Sequence, residues 1–255
     1  MLRAAVKYGK VIAHTVKMYR HLTEHYPEYP FEIELSIDET DSITSPFEHF
    51  LISQELKRLG IQLVSLAPRF VGDFEKGIDY KGDLHYFKTE YIKHLEIGEL
   101  LGPYKISFHS GSDKFSVYRE IGSIDYGHVH VKTAGTSYLE ALKTVAQNDP
   151  KLFCEILDFS REHFEIEKKS YHISAHIENV PKSADCAKKK LMRLFEQDDT
   201  RQVLHVTFGK VLTCKNRQGK YIFKDRILNC LHKYEDSHYE NLFTHFRKHI
   251  EPFII

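Results

Sequence analysis

The sequence has no surplus of either charge, since 36 Lys and Arg balance 36 Asp and Glu. A basic excess that would release counterions from a nucleic-acid backbone is therefore absent from the chain as a whole. There is no uninterrupted apolar run of about eighteen residues, the length needed to cross a bilayer. The N-terminal stretch carries Arg3, Lys7 and Lys10 within a helical pattern and has no apolar signal core, which places the protein in the cytoplasm. Cysteine is also scarce. Cys154, Cys186, Cys214 and Cys230 lie far apart without a Cys-x-x-Cys pair, which excludes a disulfide framework and a thiolate zinc site. No low-complexity tract, charge block or linker divides the chain, so its 255 residues read as one domain, 1–255, with 42% hydrophobic residues to build a core. What the sequence has in excess is histidine, 17 residues of it, a side chain that titrates near neutrality and ligates transition metals.

Helical and strand-like segments alternate. Residues 2–25 carry an apolar stripe at helical spacing that ends before Pro27 and Pro30. Residues 31–38 then alternate apolar and polar, the period of a strand. Ser45-Pro46-Phe47-Glu48 is a capping box with proline at the first helical position, and it opens a helix that runs to Gly60. Further strands are expected at 61–66, 104–109, 128–132, 171–176 and 203–208, six in all. Helices are expected over 83–101, from a second capping box at Ser137-x-x-Glu140 through about Phe164, and from Lys224 to the end. Strands separated by helices of ten or more residues imply parallel β-α-β units, because a parallel connection needs a crossover.

The polar residues within these strands fall on one face. Glu32, Glu34, Ser36 and Asp38 share a side, as do Lys105, Ser107 and His109, then His128, His130 and Lys132, then His172, Ser174 and His176, then His205 and Thr207. A parallel strand covered on both faces would be apolar throughout. One polar face per strand fits a (β/α) barrel whose inner face carries a site at the C-terminal strand ends, although six strands do not close an eight-stranded barrel.

His109 ends a strand and precedes Ser110-Gly111-Ser112-Asp113, a turn of small residues that either aims N–H groups at a substrate carboxylate or is a plain strand-to-helix loop. Glu34 is either an interior carboxylate raised in pKa by burial and by Glu32, ready for acid/base work, or a solvated residue on an edge strand. Asp38, Glu39 and Asp41 are placed to bind a metal or sugar hydroxyls, or to cap the next helix. Arg69, Lys114 and Lys132 are either partners for a substrate carboxylate or ordinary surface and structural charges.

Seven stretches carry a family resemblance. Ser36-Ile37-Asp38-Glu39-Thr40, Pro68-Arg69-Phe70, the run from Glu75 to Leu84, that from Lys105 to Phe115, that from His130 to Tyr138, Tyr171-His172-Ile173-Ser174-Ala175 and His205-Val206-Thr207 resemble, in this order, the tagaturonate epimerase family. The resemblance implies a metal-dependent enzyme of hexuronate catabolism that interconverts D-tagaturonate and D-fructuronate. It implies Glu34 as the acid/base residue, His109 as a metal ligand and Glu75 as a second ligand. Arg69, Ser110, Lys114 and Lys132 are the candidate contacts to the keto-sugar acid. The metal is a divalent cation, and nitrogen and oxygen ligands suit zinc, manganese, nickel, cobalt and iron alike. His130, His172 and His205 are left as ligands, substrate contacts or interior hydrogen-bonding residues.

Members of that family extend further on the N-terminal side, where they resemble the part of the barrel that bears an Asp-His pair. The expectation is thus a TIM-barrel-like α/β fold that lacks its N-terminal strands, completed by a homo-oligomer or by a partner chain. The alternative is a non-catalytic or degenerate partial barrel that binds a sugar acid or a partner. The two sugar acids differ at a carbon β to the ketone and β to the carboxylate. Removal of an acidic α proton cannot invert that carbon, whereas retro-aldol cleavage and re-addition can.

Overall fold

The computed structural model describes residues 2–124, 129–186 and 188–254. Its contacts fall into two compact units. The first comprises Met1–Asp73, Gly82–Gly111 and Ile124–Lys132; the second comprises Phe74–Lys81, Ser112–Ser123 and Thr133–Ile255.

The first unit is a parallel sheet with helices on one of its faces. Helix α1 (Leu2–His25) precedes strand β1 (Glu34–Ser36), followed by α2 (Pro46–Arg58), β2 (Ser65–Ala67), α3 (Leu84–Leu101), β3 (Lys105–Phe108) and β4 (Val129–Val131). The strands lie in the order β1-β2-β3-β4 and are all parallel. Register sets Glu34 beside Ser65, Ser65 beside Lys105, and Ser107 beside His130. The alternation read from the sequence is therefore a property of the sheet. Leu35, Leu66, Ile106 and Phe108 are buried on one side, and Glu34, Ser36, Ser65, Ser107 and His130 occupy the other. Phe108 stacks on Phe70 at 4.5 Å between ring centroids, and Phe87 and Tyr91 of α3 close the cluster. The capping box of α2 forms as expected. Ser45 Oγ accepts from the Glu48 amide at 3.3 Å, and the Ser45 amide donates to Glu48 Oε2 at 2.9 Å. His128, expected on the polar face of β4, lies outside the described residues.

The second unit is helical: α4 (Phe115–Gly122), α5 (Ser137–Asn148), α6 (Pro150–Glu167), α7 (Asp198–Val206), α8 (Phe208–Thr213), α9 (Lys224–Lys233) and α10 (Glu235–Ile250). Its core gathers Leu142, Val145, Phe153, Ile156, Leu157 and Leu204, all fully buried. The long helix expected from Ser137 to Phe164 is two helices. Pro150 disfavours a helical Asp149, which adopts φ −135° and caps α6 by accepting from the Leu152 amide at 3.0 Å.

Three expectations fail in this unit. The capping box at Ser137 does not form, because a 3-10 turn at Ala134–Thr136 runs into α5 and makes Ser137 its first residue instead of its cap. Residues 171–176 are not a strand, although the alternation is real: Tyr171, Ile173 and Ala175 pack against the core while their even neighbours are exposed. No strand pairs with them among the described residues. Their amides go to carboxylates instead, Ser174 N to Glu75 Oε2 at 2.9 Å and His176 N to Asp199 Oδ1 at 2.6 Å. Residues 203–206 lie in α7, a helix buried around most of its girth, so its apolar run has the look of a buried strand. The six expected strands are four among the described residues.

No helix among the described residues is long and apolar enough to cross a membrane, and none of the four cysteines forms a disulfide.

Candidate functional site: a carboxylate between two histidines

On the polar face of the first unit's sheet, Glu34 collects four hydrogen bonds from four different places in the chain. His109 Nε2 lies 2.5 Å from Oε1. His130 Nδ1 lies 2.7 Å from Oε2, and the hydroxyls of Ser65 and Ser107 donate to the same oxygen at 2.5 and 2.6 Å. Parallel register produces this convergence. β1, β2, β3 and β4 each send one side chain to the same face, and His109 follows directly on β3. An ionised carboxylate only accepts, so His109 presents Nε2–H and His130 presents Nδ1–H to it.

These donors reverse the expectation for Glu34. Burial does push its pKa up, but Ser107, Ser65, His130 and His109 together outweigh burial and hold the carboxyl at about 2. The sequence shows Glu32 and a half-buried strand; it does not show that the hydroxyls of Ser65 and Ser107 arrive at one oxygen.

The free nitrogen of His109 faces the end of β1. Its Nδ1 is 3.4 Å from Asp38 Oδ1 and 3.3 Å from Ser36 Oγ, while Ser36 donates to Asp38 at 2.6 Å. An imidazole nitrogen and a carboxylate oxygen 3.4 Å apart have the spacing of two ligands on one ion. These residues thus fit two positions of a divalent-metal site. Beside Glu34 opens a cleft of about 590 Å³ lined by Glu32, Glu34, Ser65, Lys105, Tyr104 and His130. Lys105 and His130 stand in this lining beside the carboxylates of Glu32 and Glu34. Lys105 shares the polar face by alternation, and that was the available signal for it.

The remaining expected residues belong to both units. Arg69 donates from Nη1 to the Thr40 carbonyl, and its backbone pairs with Thr44 at 2.8 and 3.1 Å, so it holds the loop after β1. Ser110 lies in the turn after β3 and Lys132 follows β4 as an exposed side chain. Glu75 and Lys114 belong to the second unit. Glu75 is buried, and its Oε2 accepts from the Ser174 amide and hydroxyl at 2.9 and 2.7 Å and from Gln202 Nε2 at 2.7 Å. Burial raises its pKa, but the bonds from Gln202 and Ser174 and the charge of Lys81 bring it below the usual value. Lys114 is fully buried, with its ammonium donating to the carbonyls of Glu75, Ile78 and Ser112 at 2.8, 2.6 and 3.0 Å. All three of its protons are thereby committed to main-chain oxygens. His205 is buried in α7 with Nδ1 lacking a hydrogen bond, and burial lowers its pKa to about 4. His172 is exposed.

Sequence reasoning missed one cluster, in the second unit. Asp113, His245 and His249 are all buried and offer ligand atoms within 4.8 Å of one another. The signal was His245-x-x-x-His249 on a helix, a spacing that puts two imidazoles on one face.

Parallel strands backed by helices, with a carboxylate, two imidazoles and two hydroxyls joined across the open face, define an α/β protein with a hydrogen-bonded polar cluster on its sheet. The tagaturonate epimerase family model matches residues 1–253, and the chain belongs to that family. It is 44% identical over 248 residues to the tagaturonate/fructuronate epimerase of Thermotoga maritima, which accounts for 97% of this chain and 50% of that protein. It is also similar to the fructuronate-tagaturonate epimerase of Cohnella laeviribosi. The native crystal structure superposes with a TM-score of 0.91 at 36% identity, covering 98% of this chain and 51% of the other. The form with two glycerols gives 0.93, covering 99% and 51%. The chain thus spans about half the length of the relatives it matches.

Proposed function

We propose that this chain is part of a metal-dependent epimerase of sugar acids that interconverts D-tagaturonate and D-fructuronate, with Glu34 as its acid/base residue. The observation that carries the proposal is the convergence of His109, His130, Ser65 and Ser107 on Glu34 beside an open cleft, in a chain of the tagaturonate epimerase family. The four strands form one arc of a (β/α) barrel, and a partner chain or second copy supplies the strands that pair with the edges of β1 and β4.

His109 Nδ1 and Asp38 are the residues that would hold a divalent cation, which when bound polarises the substrate ketone. Glu34, ionised at neutral pH, accepts the proton of the hydroxyl on the carbon to be inverted. The bond from that carbon to the carbon α to the ketone breaks, its electron pair passing to the ketone-bearing fragment as an enediolate while the hydroxyl carbon becomes an aldehyde. After the aldehyde turns its other face, the bond re-forms and Glu34 returns the proton. His109 and His130 hold the carboxylate in place during both transfers. Lys105 and Lys132 pair with the substrate carboxylate, and Ser110 presents its turn to the same group. A carboxyl held near 2 is a weak base, so substrate hydroxyls must displace Ser65 or Ser107 from Oε2 to raise its basicity.

The test is NMR-monitored conversion of D-tagaturonate by the purified protein in its native assembly, first metal-free and then with Mn²⁺, Zn²⁺ or Ni²⁺. Metal-dependent turnover abolished by Glu34→Gln is expected. Folded protein that is inert with every metal would establish the non-catalytic reading, and solvent deuterium at the inverted carbon would refute bond cleavage.

A further inference from the structure

The cluster in the second unit is built as a closed metal site. Asp113 precedes α4 with a positive φ of 62°, Glu140 lies in the first turn of α5, and His245 and His249 are one turn apart on α10. All four are buried, between 4% and 5% exposed. His245 Nδ1 stands 3.6 Å from Asp113 Oδ1 and 3.5 Å from Glu140 Oε1. These separations are too long for good hydrogen bonds. They are close to the edge of a coordination tetrahedron, about 3.4 Å for ligands about 2.1 Å from the ion.

The surroundings orient each ligand. His245 Nε2 is 2.9 Å from Thr136 Oγ1, so with its proton on that nitrogen the Nδ1 lone pair faces the two carboxylates. His249 Nδ1 donates to the His245 carbonyl at 3.0 Å, which leaves Nε2 as the lone-pair nitrogen. That nitrogen receives only the long 3.2 Å bond from the Asp113 amide, which an ion would replace. Metal-bound histidines are commonly held in this way, through the nitrogen that does not bind the ion. Arg201 takes Asp113 Oδ2 at 2.8 Å and leaves Oδ1 for the ion, and Glu140 Oε2 has no hydrogen bond, only Lys143 at 3.5 Å. Arg201 and Lys143 bring positive charge to the far oxygens of the two carboxylates, and an ion would bring it to the near oxygens that face His245 Nδ1.

We propose that Asp113, Glu140, His245 and His249 hold a structural divalent ion of zinc-like preference that fastens α10 to α4 and α5. Asp113, His245 and His249 already converge within 4.8 Å, and Glu140, 3.5 Å from His245, would close in as the fourth ligand; that set leaves no position open for substrate, so the ion is structural. The site shares no ligand with Glu34, His109 or Asp38.

The test strips the full-length protein with a chelator, then titrates it with Zn²⁺ and with Co²⁺, recording metal per chain, thermal midpoint and the visible absorption of tetrahedral cobalt. The His109→Ala variant is expected to keep one tightly bound equivalent, the tetrahedral cobalt spectrum and a metal-dependent rise in Tm. Adding His245→Ala and His249→Ala to the His109→Ala variant is expected to abolish all three. Should that triple variant not fold, zinc absorption spectroscopy of the His109→Ala protein decides, two nitrogen and two oxygen ligands being the expected set. No zinc on the His109→Ala protein, an equivalent retained by the triple variant, or a different ligand set would each overturn the proposal. The failure of the epimerase reading would leave these readouts unchanged.

Discussion

Removal of the Ser107 hydroxyl should loosen the electrostatics around Glu34. The carboxyl sits at about 2 in place of its ordinary 4.5, a difference that at about 1.4 kcal/mol per unit is worth about 3.5 kcal/mol. The Glu34 side chain is 27% exposed, so solvent screening reduces this to about 1–2 kcal/mol. Because the folded carboxyl lies below its unfolded value, that stability is fully present above about pH 4.5 and is lost as the pH falls towards 2. The Ser107 hydroxyl donates to Glu34 Oε2 at 2.6 Å and is 3.0 Å from His130 Nδ1. A hydrogen bond to a charged oxygen contributes about 1.5–3 kcal/mol before screening. Ser107→Ala should therefore raise the Glu34 pKa by about one unit, and Ser65→Ala with it by about two. The assay is a ¹³C titration of the labelled glutamate carboxyls, paired with denaturation midpoints across the acid range. A wild-type Glu34 that titrates at or above 4.5, or one unmoved by Ser107→Ala, would refute the reasoning.

Two further outcomes follow from packing. Phe108 is 2% exposed and stacked on Phe70, so Phe108→Ala should cost about 3–5 kcal/mol in urea denaturation, and a loss under 1 kcal/mol would show that the aromatic cluster collapses around the cavity. Gly122 ends α4 where a Cβ would lie 1.9 Å from the Pro252 carbonyl oxygen; Gly122→Ala should therefore displace the C-terminal turn and destabilise by about 1–3 kcal/mol, and calorimetry showing an unchanged Tm would contradict that close approach.

Much of the first unit was legible in the sequence because its signals are local. The Ser45-x-x-Glu48 box, the proline after it and the alternation from Phe31 to Asp38 each act within one element, and Glu34, Lys105, Ser107, His109, His130 and Lys132 were assigned to polar faces before any partner was known. The same alternation misled at Tyr171–Ala175. Period two reports which side of an extended segment is buried; it does not report whether its amides find a strand or, as here, the carboxylates of Glu75 and Asp199.

The sequence by itself thus determined the α2 cap, the two-faced strands of the first unit and membership of the tagaturonate epimerase family, since each rests on residue identity and short spacing. Tertiary structure decided the charge state of Glu34, because the hydroxyls that stabilise its carboxylate come from residues 31 and 73 positions away. It likewise decided that Lys114 is bound to three carbonyls, and that Asp113 meets two histidines more than 130 positions further along the chain. Hydrogen bonds and ligand sets depend on distance in space to a few tenths of an ångström, and chain connectivity fixes such distances only within a turn or two of helix or along one strand.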